Sequence, residues 1–375
     1  MIYTIFEYKP ENFAPFSINH ATFELRSGAF SAIDRVMHNT TSDDEIILVV
    51  RDEIREVVSN RFPDLEVNPE IIPPSTLFYS CHNFIEDGFV SNQELKIETS
   101  LQDFRNYITT INFKDSYLWS SLFKTKSLIS TYDINHFNMK IDGECHSTAI
   151  ILNEENIHIS KNAIVSAGVI LDASEGPIII DDGALIDVGA IIKGNTYIGK
   201  NSIINPGAKL RGEISIGPSC KIGGEVECSI FHGFSNKQHD GYIGHSYIGE
   251  WVNLGANTNN SDLKNNYSTI KFDIGNTIID TKETFIGSMV GDYSKTGIST
   301  MLNTGTYIGI GANIFGGDFQ DKFIPSFSWG GDDITEIDKF LSTLEIVKNR
   351  RDRVISSSEK DLILKLHSSV KSKKF

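Results

Sequence analysis

An apolar side chain at every sixth position dominates the middle of this chain. Ile180, Ile186, Ile192, Ile198, Ile204, Leu210, Ile216 and Ile222 are eight successive positions six apart. Ile159, Val165 and Leu171 share the spacing upstream of a short insertion around residues 175–177, and Ile248/Leu254 and Leu302/Ile308/Ile314 continue it downstream. A period of six fits neither an amphipathic helix nor an alternating strand. It fits a solenoid whose coils have three flat sides, each side supplying one inward aliphatic residue. Glycine often follows the apolar residue, as at Ile198–Gly199 and Ile216–Gly217, and small residues such as Ala184, Ala190 and Ala208 recur within the hexads. Glycine or asparagine is expected at the corners, where a side chain would often clash. Composition agrees: 25 of the 30 glycines lie between Gly168 and Gly317. The expectation is a β-helix of hexapeptide repeats.

The flanks read differently. Residues 1–140 place strands at Ile2–Phe6 and Glu45–Val50 and helices at Gly28–His38 and Asp52–Asn60, an α/β unit with a partly parallel sheet. Pro63, Pro69, Pro73 and Pro74 interrupt regular structure, and the aromatic stretch Phe104–Asp133 is expected to join the two domains. After Gly331, Asp332 is placed to cap a helix with Ile337, Leu341 and Leu344 on one face, and a second helix carries Leu362, Ile363 and Leu366. From Glu345 onward nine Lys/Arg stand against four acids. The domain reading is 1–140, 141–331 and 332–375.

The net charge of −15 argues against a nucleic-acid partner, which needs a basic field. No apolar run approaches the ~20 residues of a membrane span, and the N-terminus lacks a signal-peptide pattern. Cys81, Cys145, Cys220 and Cys228 form no CxxC pair and read as buried thiols of a cytoplasmic protein.

The hexads fail between Glu225 and Gly241, where His232, Lys237, His239, Asp240 and Tyr242 cluster in and beside the gap. Loops thrown out of a rigid scaffold are favoured places for function. A second polar stretch, Asn253–Asn266, supplies hydrogen-bonding side chains, or forms an asparagine ladder or turns. His232, His239 and His245 lack the spacing of a zinc site, so no metal is assigned. A single neutral histidine suits general-base chemistry better.

These residues carry a resemblance. Gly233–Lys271 resembles the acetyltransferase half of bifunctional N-acetylglucosamine-1-phosphate uridyltransferases, in the alternative, Bacteroidetes-type branch of that family. Met289–Thr306 and Ile314–Gly331 resemble the same branch. The resemblance implies a left-handed parallel β-helix, acetyl-CoA as cosubstrate, an amino-sugar phosphate as acceptor and a homotrimer with sites between subunits. By position it implies His239 as catalytic base, Tyr242 and Asn253 as substrate contacts, Arg211 on the sugar phosphate, and Ala256 and Ser288 near the acetyl-CoA arm. The family's lysine shortly before the loop is missing, with Glu227, Cys228 and Ser229 there instead. Lys237, or Lys264, is the substitute for a substrate contact.

The N-terminal unit is similar to a shortened, degenerate nucleotidyltransferase-like domain. Ala14–Gly28 resembles the branch's substitute for a glycine-rich phosphate loop, with Arg26 and Gly28 the clearest matches, and Tyr117–Phe123 resembles its approach to the β-helix. Mg²⁺ is implied only if that domain is active. The resulting expectation is an acetyl-CoA-dependent N-acetyltransferase acting on an amino-sugar phosphate or nucleotide amino sugar. The alternatives are a bifunctional enzyme that also transfers a uridylyl group, and a non-catalytic β-helical scaffold.

Overall fold

The structure is a computed structural model that describes residues 1–79, 93–111, 116–274, 277–331 and 333–374. Cys81 and Asp332 lie outside these residues. From residue 144 onward the chain winds as a left-handed parallel β-helix with three sheets. The first sheet starts at Glu144–Cys145 and runs through Ile164–Val165, Leu185–Ile186, Ile203–Ile204 and Lys221–Ile222 to Asn236–Lys237. The second runs from Ile150–Leu152 to Tyr242–Gly244, and the third has nine strands, from Ile157–Ile159 to Phe323–Ile324.

The register explains the hexads. Val165, Ile186, Ile204 and Ile222 are Cα partners in successive coils, so each stacks on the equivalent side chain below. Ala184, Ala190, Thr196, Ser202, Ala208, Ile214 and Cys220 form a second buried series six apart, mostly small, which fills the remainder of a narrow core. The corners obey the same period: Gly183, Gly189, Asn195, Asn201, Gly207, Glu213 and Ser219 all have positive φ. The left-handed region favours glycine and, among other residues, asparagine. The glycines that follow the apolar residues serve another purpose. A Cβ on Gly199 would lie 2.8 Å from the Gly217 carbonyl carbon of the next coil, and one on Gly217 would meet the His232 carbonyl oxygen. Those glycines permit backbone stacking; the turns belong to the other set.

The break at 225–241 is not an ejected loop, which corrects the sequence reading. Strands Glu225–Glu227, Ile230–Gly233 and Asn236–Lys237 continue all three sheets. The coil is shortened: the first sheet steps 15 residues from Lys221 to Asn236, against 18 from Ile203 to Lys221. The hexads fail because corners lose residues while pairing is kept. The true excursion comes one coil later. The third sheet steps 42 residues from Tyr247 to Met289, and 18 from Met289 to Tyr307. The described residues between 262 and 286 leave the coil there and include the hairpin Lys271–Asp273/Ile278–Asp280.

The N-terminal unit is a sheet in the order Glu66–Val67, Glu45–Val49, Ile2–Phe6, Ser75–Tyr79, Glu94–Leu95, all parallel except the last. Ser31 caps the helix Ala32–Asn39 by accepting from the Asp34 amide, and Asp34 accepts from Ser31 N in return. A three-residue turn at Asp52–Ile54 leads into helix Arg55–Arg61. One apolar cluster joins this unit to the solenoid: Phe13, Phe16, Leu118, Trp119 and Leu122 pack with Ile230, Tyr247 and Met289 on the outer face of the third sheet. The aromatic joint is therefore 116–123 together with 13–16, while Leu101–Thr110 belongs to the N-terminal sheet through Phe104 on Phe6. The tail forms helices Ile337–Asn349 and Ser357–Lys374, which cover Trp251, Tyr293 and Phe327. Cys145, Cys220 and Cys228 are free, and burial pushes the Cys220 and Cys228 thiols up to about 12. Among the described residues no helix is long and apolar enough to cross a membrane.

Candidate functional site

The shortened coil presents one tight corner, Gln238–Gly241, between the first and second sheets. Three bonds hold its backbone: Asn205 Nδ2 donates to Gln238 O at 2.8 Å, Lys237 Nζ to His239 O at 2.8 Å, and Asn257 N to Asp240 O at 2.8 Å. A Cβ on Gly223 would sit 2.3 Å from Gln238 O, so glycine there admits the corner. His239 is exposed, and its ring makes no hydrogen bond among the described residues. The result is an open imidazole on a fixed backbone.

Lys237 is not at the surface. It pairs with Ile222 in the inward series, is 1% exposed, and burial lowers its ammonium to about 8 against a smaller opposing pull from Asp240. Its side chain is thus closed to a ligand, which corrects its reading as a substrate contact. Ser288 is equally sealed: it lies two residues from inward Val290, fully buried, with its hydroxyl unpartnered. A cosubstrate at the surface does not reach that side chain.

Arg211 and Tyr242 are brought together, but through carboxylates. Arg211 Nη1 lies 2.9 Å from Glu225 Oε1 and 3.2 Å from Glu227 Oε2. Tyr242 donates to Asp262 Oδ2 at 2.7 Å, with Glu227 Oε2 at 3.3 Å. Burial and these two acids raise the phenol well above its ordinary range. Asn253 stands on the adjoining first sheet, exposed, 3.4 Å from Asn236 Nδ2, while Arg351 of the tail donates to Asn236 Oδ1 at 3.1 Å. Ala256 is half-buried in the coil beyond His239, since Asn236, Asn253 and Lys295 are successive partners. The exposed Ile298 follows in the same line.

Other polar residues turn out to be structural. Asn260 accepts from Gly244 N and donates to Gly244 O, both at 2.9 Å, and Asn259 accepts from Tyr242 N at 2.8 Å. Their amides replace strand pairing where the chain leaves the coil. Arg26 donates to the Ala29 and His232 carbonyls, so it ties the two units together. His232, His239 and His245 do not converge. His232 instead lies with His20 and Glu250, their ligand atoms within 4.8 Å of one another. Both edges of the His20 ring are engaged there, by Asp292 at 2.7 Å and Arg61 at 3.0 Å. Sequence reading assigned no role to Asp262, Glu225 and Glu227, which meet Tyr242 or Arg211 because of the short coil and the excursion. Alternation within the strand Glu225–Glu227, where Val226 faces inward between them, was the available signal for the two glutamates.

No protein-family model matches the chain. Its C-terminal half is similar to bifunctional GlmU proteins. "Bifunctional protein GlmU" of Synechococcus elongatus is 30% identical over 172 residues, covering 45% of this chain and 33% of that protein. The "Bifunctional sugar-1-phosphate nucleotidylyltransferase/acetyltransferase" of Sulfurisphaera tokodaii is 34% identical over 145 residues, 38% of this chain and 36% of that one. The chain thus spans about a third of the length of these curated relatives. Among solved structures, UDP-N-acetylglucosamine acyltransferase of Francisella novicida overlaps 61% of this chain and 88% of its own at 14% identity, with a TM-score of 0.35.

Proposed function

We propose that this protein is an acetyl-CoA-dependent N-acetyltransferase whose acceptor is an amino sugar or a derivative of one. The observation that carries the reading is the exposed imidazole of His239 on a corner whose backbone is pinned on three carbonyls. A preorganised base needs that rigidity, because small displacements of a reacting group are costly. The similarity to GlmU proteins over the β-helix supports it. Neutral His239 takes the proton from the acceptor amine as nitrogen attacks the thioester carbonyl; the tetrahedral intermediate then collapses and releases coenzyme A. Ala256 and the exposed Ile298 extend in line from His239 and offer a small, apolar track for the acyl arm.

The acceptor's phosphate is less well provided for. Arg211 is already engaged by two carboxylates, so a phosphate would have to displace Glu225 and Glu227. The acidic surroundings favour the ammonium end of the acceptor. Tyr242 and Asn253 flank the corner from the second and first sheets and serve as contacts to the sugar. Nucleotidyl transfer, with its Mg²⁺, is not included, since Arg26 is spent on backbone carbonyls. Homotrimeric assembly completes the proposal, because the outer faces of the first two sheets leave Ile150, Leu152, Ile164 and Ile191 exposed. The test is thiol release from acetyl-CoA with glucosamine and glucosamine 1-phosphate. His239→Ala is expected to lower the rate about 10²–10⁴-fold; an unchanged rate would remove His239 as the base, and no transfer to either amine would favour a scaffold.

A further inference from the structure

The next corner of the same coil holds a second imidazole in a different setting. His245 lies between strands Tyr242–Gly244 and Tyr247–Glu250, with φ +45°. Its Nδ1 is 2.9 Å from Asp262 Oδ2, the same oxygen that accepts from Tyr242 at 2.7 Å. An ionised carboxylate only accepts, so Nδ1 carries a hydrogen, and in the neutral ring the lone pair is then on Nε2. Nε2 makes no hydrogen bond among the described residues, and it is not among the polar atoms sealed from solvent without a partner. The hydrogen bonds from His245 and Tyr242 hold the Asp262 carboxyl below its ordinary range despite burial, which would raise it. A carboxylate that fixes tautomer and orientation of an imidazole is the arrangement that prepares a general base.

Several features build this geometry. A Cβ on Gly244 would lie 2.1 Å from the Tyr242 hydroxyl and 2.4 Å from Asp262 Oδ2, so only glycine leaves room for that bond. The two ends of the 262–286 excursion are pinned beside His245: Ile286 N donates to Asp262 O at 2.9 Å and Gly287 N to His245 O at 2.8 Å. That closure brings Phe285 onto the imidazole, centroids 5.1 Å apart, while Phe123 of the N-terminal unit approaches from another side at 6.4 Å. Phe123 is 37% and Phe285 41% exposed, so apolar surface flanks the imidazole. Glu227 adds a second carboxylate 3.3 Å from the Tyr242 hydroxyl.

We propose that His245, oriented by Asp262, is a second proton acceptor, at a site that binds an ammonium-bearing molecule with an apolar face. The phenyl rings of Phe123 and Phe285 take the apolar face, and Asp262 attracts the cation together with Glu227, whose carboxylate is shared with the Arg211 guanidinium. The proton passes from the ammonium nitrogen to Nε2, leaving a neutral amine and an imidazolium whose Nδ1–H stays on Asp262. The site shares Tyr242 with the sugar contacts proposed at the His239 corner, but its proton acceptor is a different imidazole and does not depend on acetyl transfer there. The test is nitrogen-detected NMR of histidine side chains in the full chain, with glucosamine as the probe and N-acetylglucosamine as the control lacking an ammonium. Neutral His245 is expected as the Nδ1–H tautomer, with its Nε2 signal moved by glucosamine and not by the control. Asp262→Asn should mix the tautomers and weaken the response at least tenfold, while His239→Ala should leave it intact. An Nε2–H tautomer in the unmodified chain, or a His245 signal unmoved by millimolar glucosamine, overturns the proposal. A response without any acetyl transfer keeps it and removes the acetyltransferase reading; transfer lost in His239→Ala but intact in His245→Asn, with no glucosamine response, does the reverse.

Discussion

Lys237 shows how one residue can sit against the grain of its surroundings. Its ammonium occupies a slot in the inward stack next to Ile222 and, among the described residues, donates to the His239 carbonyl. Its folded pKa, near 8, is below the ordinary 10.5, so between those values the folded chain holds fewer protons than the unfolded one. Stability contributed by this group therefore rises with pH from about 8 to 10.5, and below 8 its burial costs on the order of 3 kcal/mol. Lys237→Met, close in volume and apolar, is expected to raise the melting temperature at pH 7 and to flatten the pH dependence above 8. The same change frees the corner carbonyl, so acetyl transfer should fall while stability rises. Thermal denaturation at pH 7 and pH 10 checks the first statement; a lower melting temperature in Lys237→Met at pH 7 would refute it.

At the scale of the coil, two glycine populations carry two different constraints. Gly189 has φ +68° and nothing within 4 Å of the place a Cβ would take, so alanine there costs only the left-handed conformation, roughly 1–2 kcal/mol. Gly199 has no such φ, but a Cβ would press on the Gly217 and Ile216 backbone at 2.8 Å. Gly199→Ala is expected to be the more damaging of the two, since two stacked coils must separate, and chemical denaturation of both variants would rank them. This distinction was hidden in the sequence, where both glycines sit near an isoleucine. The period was legible because each coil repeats the same three sides. The shortened coil was legible only as a loss of period, since the letters 225–241 do not say whether residues are inserted or removed.

At the scale of the whole molecule, a sealed polar joint links the two units. Asp292, fully buried, accepts from Glu250 N at 2.9 Å, from Asn19 Nδ2 at 2.9 Å and from His20 Nε2 at 2.7 Å. Asn19 and His20 come from the N-terminal unit, so this carboxylate reaches across the joint. Asp292→Ala should cost about 3–5 kcal/mol, because it strands buried partners. Calorimetry is expected to show the loss as a drop in melting temperature, and a silent substitution would mean the joint is held by apolar packing alone. The same joint covers Ile230, Tyr247 and Met289, so the large apolar residues on the outer face of the third sheet are buried, whereas Ile150, Ile164 and Ile191 on the other two are exposed.

The sequence by itself determined the solenoid, because a six-residue period in inward side chains has one physical solution: identical sides stacked coil on coil. It also showed that polar side chains gather where the period fails. What only the tertiary structure decided is which of those polar side chains face outward. Lys237 and Ser288 turn into the core, His239 turns out, and Arg211 meets Glu225 and Glu227 from the coil above it. Asp262 reaches His245 across 17 residues of chain because the excursion starts where the coil brings the two corners together. Contacts of that kind depend on how many residues each corner keeps, a quantity fixed by stacking and pairing between coils, and no local stretch of sequence records it.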